Sequence, residues 1–312
     1  MISRRHFLGQ TLAATGATLA AGCVQSQPHR AVGILDTHTH FYDPTRPAGV
    51  PWPATNDAFL YRPVLPPEYE ALARPLGITG TLVVEASAWE QDNRWVLDLA
   101  NRSPFLIGLV GHLKPGRPGF TDLLARDAVD RRFRGIRIGT WDGPARLEDA
   151  GFMRDCQVLA ERGLTADVLI GPEQLGLIDE FARRVPQLRM VIDHSANVRV
   201  DGRTPDPAWR KGIEAVARHP QVYMKFSGYV EGTGKTDGTA PRDVEFYRPT
   251  FDVMKDAFGL DRLVFGSNWP VSARFASLAT VVGIARDYFQ AHGAEDRCFR
   301  RNAQKAYQLK LA

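Results

Sequence analysis

Two histidines and an aspartate occupy alternate positions in residues 34–40, which read ILDTHTH. In a β-strand, side chains two positions apart point to the same face of the sheet. We therefore expect Asp36, His38 and His40 to converge on one space. Burying three such polar groups in a dry core is costly, whereas a reaction site makes use of them, so the pattern predicts an active site.

Polar side chains also lie at the ends of most other apolar, β-rich runs in the chain. In chain order they are Glu85, His112, Lys114, Arg137, Asp193, His194, Lys225, Ser227, Asn268 and Trp269. The fifth run, which ends at Gly171 and Pro172, is interpreted as offering nothing titratable. One polar strand end needs no special explanation, but seven out of eight predict a shared site. Taken singly, His112, Lys114 and Lys225 are each expected to have structural or solvated roles.

Eight apolar runs alternate with amphipathic stretches along the chain. The runs cover residues 34–40, 80–86, 106–112, 134–139, 164–170, 188–193, 222–227 and 262–267. Between them, as in residues 92–102, 151–163 and 172–185, apolar positions recur at the three- and four-residue spacing typical of a helix with one buried face. This alternation predicts an α/β fold with parallel strands, and eight units favour a single (β/α)8 TIM barrel over residues 34–312. No glycine-rich dinucleotide or P-loop motif follows the first run.

Two connections that follow strands are unusual, and in a barrel both would lie on the C-terminal, catalytic face. Residues 42–66 are proline-rich, and residues 228–241 are glycine-rich. Long loops at this face usually shape a pocket or act as lids, so we expect the same here. The aromatic residues Trp52, Tyr61, Trp89 and Trp269 would stand near the mouth, where such rings often stack on sugar rings.

The composition of the chain is that of an ordinary globular protein. Of 312 residues, 44% are hydrophobic and 24% charged, and the formal net charge is +4. No block of lysines and arginines stands out, so nucleic acid is not a predicted partner. Cys156 and Cys298 are distant in sequence and lack CxxC spacing, which favours two small buried side chains over a disulfide or a nucleophile.

The first 23 residues differ in character from the rest. Residues 3–10 read SRRHFLGQ and precede an uncharged apolar run that ends at Cys23. Paired arginines before a short apolar stretch are typical of a twin-arginine export signal, and the run is too short for a membrane span. We expect a signal over residues 1–23, a linker over 24–33, the twin-arginine translocation machinery as partner, and a periplasmic or exported cell-envelope location. The segment AAGC resembles an imperfect lipobox, so lipid anchoring through Cys23 and soluble export both stay open.

Several segments together resemble the amidohydrolase superfamily, most of all its amidohydrolase-2 branch of TIM-barrel, predicted metal-dependent hydrolases. The matching segments are DTHTH, FRGIR, VIDHSANV, KFSG and FGSNWPV, which lie in order across residues 34–308. That branch includes sugar-lactone hydrolases such as L-fuconolactonase and L-rhamnonolactonase, and muconolactone- and pyrone-type lactonases. The resemblance implies hydrolysis of a carboxylic ester bond, above all a lactone of the sugar-acid or muconolactone type.

The resemblance also implies roles for individual residues. His38 and His40 would bind a metal or polarise the substrate carbonyl, with His194 as a further ligand or electrophile. A divalent metal, Zn²⁺ in first place, is implied, because two imidazoles at alternate strand positions can share one zinc ion. A metal-free site stays open. Arg137 would hold a substrate carboxylate or hydroxyl through its planar fork, unless it forms a structural salt bridge inside the barrel. Apart from the resemblance, Trp52, Trp89 and Trp269 are expected to bind substrate as aromatic residues at the barrel mouth.

Asn268 departs from the superfamily pattern, which has an aspartate there that takes a proton from water. An amide is not a base near neutral pH, so Asn268 would hydrogen-bond water or ligate a metal weakly through its carbonyl oxygen. Three alternatives follow: a metal-bound hydroxide, a metal-free site with Glu85, Asp193 or Asp36 as base, and an inactive relative that binds a ligand after export. Glu85 is the preferred base among the three. A metal-dependent decarboxylase is less favoured, because the strand-5 histidine of that branch is absent, and Ser267 lacks the context of a nucleophile.

Overall fold

The computed structural model describes residues 33–310, and all eight expected strands are present there. The strands are β1 (Ile34–Thr39), β2 (Ile78–Val84), β3 (Leu106–Gly111), β4 (Phe133–Ile138), β5 (Thr165–Val168), β6 (Arg189–Ile192), β7 (Val222–Phe226) and β8 (Leu263–Phe265). Each pairs in parallel with the next in chain order. The eight parallel strands of the predicted barrel are thus confirmed. The export signal, Cys23 and the linker up to residue 32 lie outside the described residues.

Helices connect consecutive strands and cover the sheet. They are α1 (Pro66–Ala73), α2 (Asp92–Arg102), α3 (Phe120–Asp127), α4 (Ala145–Glu148), α5 (Ala150–Glu161), α6 (Leu175–Arg184), α7 (Pro207–Ala217), α8 (Val244–Phe258), α9 (Leu278–Ala291) and α10 (Asn302–Ala306). Side-chain caps begin some of them, as where Asp149 accepts from the N–H groups of Gly151 and Phe152 at the start of α5. Among the described residues, no helix combines the length and the apolar character that a membrane crossing requires.

Alternate residues of the strands form two apolar layers. The outer layer, which includes Ile136, Phe226 and both free cysteines, packs under the helices. The inner layer fills the barrel with one or two side chains from each of several strands, and the C-terminal segment packs against these side chains. The buried residues of this layer are Leu35, Leu82, Val84, Val110, Val191, Val264, Ala303, Ala306, Tyr307 and Leu309. The expectation that the cysteines are buried and unpaired is confirmed for the described structure.

An irregularity in the pairing of β1, between Asp36 and Thr39, changes which side chains face inward. Asp36 accepts a hydrogen bond from the hydroxyl of Tyr69 on α1 (2.5 Å), so its carboxylate points toward the helix layer. It also accepts from the backbone N–H groups of His38 and Ser267. The prediction that Asp36 converges with the two histidines is therefore wrong, and its three bonds exclude it as a base.

The barrel closes where the residues after β8 meet β1. The N–H of Asn268 donates to the carbonyl of His38 (2.8 Å), and the N–H of His40 donates to the carbonyl of Trp269 (2.9 Å). Thr37 adds a hydroxyl bond to the carbonyl of Phe265. Because the same segments carry both histidines of the DTHTH motif and Asn268, closure of the barrel also assembles the site.

Candidate active site

Four residues singled out in the sequence lie together at the C-terminal end of the barrel. The ring centres of His38 and His40 are 4.9 Å apart, and those of His38 and His194 are 4.3 Å apart. His40 Nε2 lies 3.2 Å from Asn268 Oδ1. All four side chains are buried, the most exposed being His194 at 8%. Interactions among them are therefore little screened by water.

His40 presents an unprotonated nitrogen to Asn268. Its Nδ1 lies 2.9 Å from the carbonyl oxygen of Val84, which only accepts, so Nδ1 carries the proton. Burial, together with the positive charge of Arg137, lowers the pKa of His40 to about 3, which keeps the ring neutral. The lone pair on Nε2 therefore faces Asn268.

His38 has the opposite arrangement, because Lys225 lies beside it. The Lys225 Nζ is 3.1 Å from His38 Nδ1 and 2.6 Å from Asp167 Oδ2, and it forms an ion pair with Asp193 (2.9 Å). Burial opposes the charge of Lys225, but Asp167 and Asp193 raise its pKa, so it remains an ammonium group that only donates. Burial and the nearby Lys225 charge lower the pKa of His38 well below its ordinary value. Nδ1 also faces Asp193 Oδ1 at 3.4 Å, but the ammonium is nearer, so we infer that the neutral ring accepts at Nδ1 and carries its proton on Nε2, a buried atom without a partner among residues 33–310.

This network corrects two expectations from the sequence. Strand β5 does contribute a titratable group, because Asp167 accepts a hydrogen bond from Lys225. Asp167 also accepts one from the hydroxyl of Tyr307. Of the structural and solvated roles expected for Lys225, the solvated one is excluded, because Lys225 is fully buried, and it also contacts a histidine of the site. Asp167 lies within β5 and not at its end, whereas Lys225 is one of the polar strand ends and reaches Asp167 across the barrel.

His194 stands on an unusual turn. Residues 194–197 all have φ between 51° and 54°, which makes one turn of left-handed helix directly after β6. Its Nδ1 is 2.9 Å from the hydroxyl of Ser227. Burial lowers the pKa of His194 to about 4, so the ring is neutral. Gly228 makes room for it, because a Cβ added there would lie 2.5 Å from the Cβ of His194.

Glu85 and Arg137 form an ion pair at the edge of the site. Arg137 Nε donates to Glu85 Oε1 (2.8 Å), and both side chains are nearly buried. Burial raises the pKa of Glu85 although Arg137 opposes the shift. Because one carboxylate oxygen is held by the guanidinium, Glu85 is a weaker candidate for the base than the sequence indicated. Two nitrogens of Arg137 have no partner within the described part of the chain and remain for a ligand.

The three tryptophans predicted to bind substrate have different surroundings. Trp52, in the loop after β1, lies 5.8 Å from the ring of His40 and is half-buried, which fits contact with a substrate. Trp269 is 2% exposed and packs against Tyr69 and Phe41 in the core, so its predicted contact with substrate is wrong. Trp89 is half-buried in the loop before α2, and no contact with the histidines places it in the site.

A cavity of about 440 Å³ lies where the chain leaves β3 and β4, with Arg137 in its wall, and His38, His40 and His194 are not among its lining residues. Its other lining groups are mostly polar and include His112, Lys114, Arg117, Arg146, Asp142 and Asp149. Both ring nitrogens of His112 are buried and without partners among residues 33–310, and burial lowers its pKa to about 4. Four cationic side chains against two carboxylates make this cavity suited to a polar or anionic ligand.

A further acidic residue of the site was not expected from the sequence. Glu231, in the glycine-rich loop after β7, accepts a hydrogen bond from Asn268 Nδ2 at Oε1 (2.8 Å). Burial raises its pKa to about 7. The only signal in the sequence was that this loop was expected to shape a pocket, because neither spacing nor motif connects residues 231 and 268.

The donor types at the site are compatible with a divalent metal. Ligand atoms of His38, Asp193 and His194 lie within 4.8 Å of one another, two imidazoles and a carboxylate being a common zinc set. His38 Nε2 and Asp193 Oδ2 lack partners among the described residues and are available, whereas Asp193 Oδ1 is paired with the Lys225 ammonium (2.9 Å). The Lys225 ammonium already lies beside His38 Nδ1, so an ion can replace only the proton on Nε2. His40, expected to be a ligand, is outside this group.

A closed eight-stranded α/β barrel with neutral histidines and a guanidinium at its C-terminal face has the architecture of a TIM-barrel enzyme. The chain belongs to the amidohydrolase family, since the family model described as Amidohydrolase matches residues 35–309. The resemblance predicted from the sequence is thereby confirmed.

Curated and solved relatives agree with this assignment. An L-fucono-1,5-lactonase of Burkholderia ambifaria is 33% identical over 76% of this chain and 80% of that protein. A 4-sulfomuconolactone hydrolase of Rhizobium radiobacter is 29% identical over 78% of this chain and 77% of its own length. The crystal structure of an amidohydrolase from Burkholderia multivorans with bound zinc has a TM-score of 0.78 and 26% identity, covering 89% of this chain and 100% of that one.

Proposed function

We propose that this protein is a lactonase, which opens a cyclic carboxylic ester with water. The observation that carries the proposal is the pairing of one donor, His38 Nε2–H, with two acceptors, His40 Nε2 and Asn268 Oδ1, in neighbouring rings and side chains. The donor suits a carbonyl oxygen, and the acceptors suit the two hydrogens of a water molecule. The lactonases among the relatives support the same reaction.

The site residues would act in the following order. His40 and Asn268 hold the water so that its lone pair faces the ester carbon, and the His38 N–H holds the carbonyl oxygen. Attack forms a tetrahedral intermediate whose negative oxygen is stabilised by His38. The proton of the water passes to His40 Nε2, and from there to the ring oxygen as the carbon–oxygen bond breaks. A ring with a pKa of about 3 is a weak base but a strong acid once protonated, so the return of the proton is the easier of the two transfers.

We propose a polar lactone as the substrate, with a sugar-acid lactone preferred over the muconolactone type. The free guanidinium nitrogens of Arg137 can hold a hydroxyl or carboxylate. Trp52 offers an aromatic face beside His40 for a sugar ring. The first lactonase relative, which acts by name on an L-fucono-1,5-lactone, supports this preference.

We propose Zn²⁺ as the metal that the site can hold, with His38, Asp193 and His194 as ligands. When bound, it would supply Lewis-acid polarisation of the carbonyl, the role that the proton on His38 Nε2 has without it. The zinc-bound structural relative supports this choice. Arg137, His40 and Asn268 keep their roles in either form.

A hydrolysis assay with a pH indicator, on a panel of sugar-acid and aromatic lactones, tests the proposal. The protein would be assayed after chelator treatment and again with added Zn²⁺. Turnover of at least one lactone is expected. Activity that is lost to the chelator and restored by zinc would show that the active protein contains the metal. Activity that does not change with the chelator would show that the His38 N–H, and not a metal, polarises the carbonyl. No turnover on the whole panel, with the fold intact, would contradict the lactonase proposal.

We propose that the chain is exported by the twin-arginine route, in keeping with the paired arginines at positions 4 and 5. Cell fractionation of the wild type and an R4K/R5K variant tests this. The wild type is expected in the periplasm or envelope, and the variant in the cytoplasm. Equal distribution of the two would refute the export signal, and a Cys23→Ala variant that stays in the membrane fraction would refute lipid anchoring.

A further inference from the structure

Glu231 lies behind Asn268, in the loop that connects β7 to α8. Its Oε1 accepts from the Asn268 amide, while its Oε2 is buried and has no partner among residues 33–310. No lysine or arginine within the described part of the chain contributes a positive charge to it. Tyr229 and Tyr247 face it as neutral phenols, and burial raises the pKa of both. A buried carboxylate without a cation reduces stability, and groups of this kind are concentrated at functional sites.

The chemistry of a carboxylate explains what Glu231 does to Asn268. A side-chain amide has a donor end and an acceptor end, and either could face His40. An ionised carboxylate only accepts, so it must bond the Nδ2 end of Asn268. The Oδ1 end is then turned toward His40 Nε2, 3.2 Å away.

His40 Nε2 is itself an acceptor, because its proton lies on Nδ1. Two acceptors cannot hydrogen-bond each other, and their approach is favourable only when a donor with two hydrogens bonds both. A water molecule is such a donor. If the amide were reversed, Asn268 would donate directly to His40 and the pair would no longer hold water.

We propose that Glu231 is a positioning residue for the hydrolytic water: it holds the Asn268 amide with Oδ1 toward His40, so that the two acceptors face the same water molecule. The inference rests on the proposed lactone hydrolysis, which is the reaction that needs this water. In this arrangement the carboxylate itself touches neither water nor substrate.

Four proteins test the inference: wild type, E231Q, N268D and E231Q/N268D, with the exposed Glu161→Gln on α5 as a matched control. Glutamine can donate as well as accept, so E231Q permits the reversed amide. We expect kcat to fall by about 10- to 100-fold with little change in KM. The melting temperature should not fall, because a neutral amide is easier to bury than a carboxylate. The control should change neither quantity.

The effect of E231Q should change sign in the N268D background. A carboxylate at position 268 presents an oxygen to His40 in either orientation, so Glu231 is no longer needed there. N268D alone places two carboxylates in contact, and removing one charge should raise both kcat and melting temperature. A loss of melting temperature on E231Q in both backgrounds would overturn the positioning role in favour of a structural one, and so would an unchanged kcat in the wild-type background.

A measurement without substrate separates this inference from the lactonase proposal. The ¹⁵N chemical shift of His40 Nε2, in protein with labelled histidine, reports whether the lone pair accepts a bond from an amide. We expect the shift to change in E231Q and to stay unchanged in Glu161→Gln. If no lactone is turned over but the shift changes, the lactonase proposal fails and the orientation by Glu231 stands. An unchanged shift in E231Q overturns the inference whatever the substrate.

Discussion

At the scale of single residues, a buried ammonium group decides which nitrogen of His38 carries the proton. Lys225 can only donate, and its Nζ is nearer to His38 Nδ1 (3.1 Å) than Asp193 Oδ1 is (3.4 Å), so we infer that Nδ1 accepts and that the N–H lies on Nε2. The charge of Lys225 is matched by Asp167 and Asp193 below the site. The donor that the proposed reaction needs is thus prepared by residues that touch no substrate.

Replacement of Lys225 by methionine should therefore inactivate the protein. Without the ammonium group, the proton of His38 is free to lie on Nδ1, and we expect kcat to fall by about 100-fold or more, as for loss of an oxyanion donor. Leaving two buried carboxylates unpaired should also reduce the free energy of unfolding by about 3–5 kcal/mol. Steady-state kinetics and chemical denaturation measure the two effects.

A second variant guards against simple misfolding. Lys225→Met combined with Asp167→Asn removes one charge of each sign, so it should regain stability without regaining activity. Lys235→Met, at an exposed position after the same strand, is the control and should behave as wild type. Full activity in the double variant would show that Lys225 does not control His38.

The pH dependence of kcat should have an acid limb near pH 7. Below this pH, Glu231, whose pKa is about 7, becomes protonated, can donate to Asn268 Oδ1 and no longer imposes the amide orientation. Activity is therefore present above this pH and lost as the pH falls through it. His40 and His194, with pKa values of about 3 and 4, remain neutral throughout this range. A profile of kcat against pH for wild type and E231Q checks this, because the variant should lack the acid limb. If the acid limb of the wild type lay near pH 4, the titrating group would be His194 and not Glu231.

Sequence patterns identified the site residues that belong to short motifs at strand ends. His38, His40, His194 and Asn268 were found because alternate strand positions and the resemblance both indicate them. Lys225 and Asp167 could not be distinguished from ordinary strand residues, because their meeting depends on the closure of the barrel across strands β5 and β7. Glu231 was missed because its contact with Asn268 joins two loops that are distant in sequence.

At the scale of elements, the turn after β6 is held in a costly conformation. Left-handed backbone costs roughly 1–2 kcal/mol for each residue that is not glycine, and four such residues follow one another here. Bonds to the surrounding structure compensate: Ser195 donates to the carbonyl of Ser227, Asn197 donates to that of Ile170, and Trp209 donates to that of Ser195. Strain of this kind is concentrated at functional sites, and here it places His194 beside His38.

Gly228→Ala should disrupt this placement of His194. The added methyl group would lie 2.5 Å from the Cβ of His194, in a backbone conformation with φ of +71°. We expect kcat to fall by about 100-fold, since small displacements of reacting groups have effects of this size. Gly234→Ala is a matched control, because Gly234 also has positive φ (+64°) but no atom lies within 4 Å of its added Cβ. Kinetics and melting temperature of both variants check this. Equal losses of activity would mean that backbone strain, and not contact with His194, is responsible.

The periodicity of the sequence predicted the helices and strands well, because one buried face leaves a regular apolar pattern. The helix expected over residues 92–102 is α2 (Asp92–Arg102) without change. The irregularity in β1 left no such trace, so the alternation rule assigned Asp36 to the wrong face. The left-handed turn was equally hidden, since no glycine within residues 194–197 indicates positive φ.

At the scale of the whole molecule, the junction between β1 and β8 contributes both to the stability of the barrel and to the geometry of the site. Strand β8 has only three residues, and the pairing with β1 is completed by the backbone of His38, His40 and Asn268 beyond it. The (β/α)8 architecture followed from counting strand–helix units, but the way in which the barrel closes depends on hydrogen bonds between residues more than 200 positions apart. Loss of this junction should therefore affect the fold and the site together.

Asp36→Ala tests this coupling. Asp36 accepts the N–H groups of His38 and Ser267 on one oxygen and the hydroxyl of Tyr69 on the other. Removing it leaves two buried backbone donors unsatisfied, which should reduce the free energy of unfolding by about 3 kcal/mol or more. Asp36→Asn keeps an oxygen for both N–H groups and can donate to Tyr69, so it should remain within about 1 kcal/mol of wild type.

Hydrogen exchange shows whether the loss is local to the junction. In Asp36→Ala, the amides of His40 and Asn268, which join β1 to the segment after β8, should exchange faster than amides of β4 and β5 on the other side of the barrel. Activity should also fall, because the same segments carry His40 and Asn268, the two residues proposed to hold the water. Uniformly faster exchange would mean that Asp36 stabilises the barrel as a whole. Faster exchange at the junction alone, with activity retained, would mean that the site assembles without closure of the barrel.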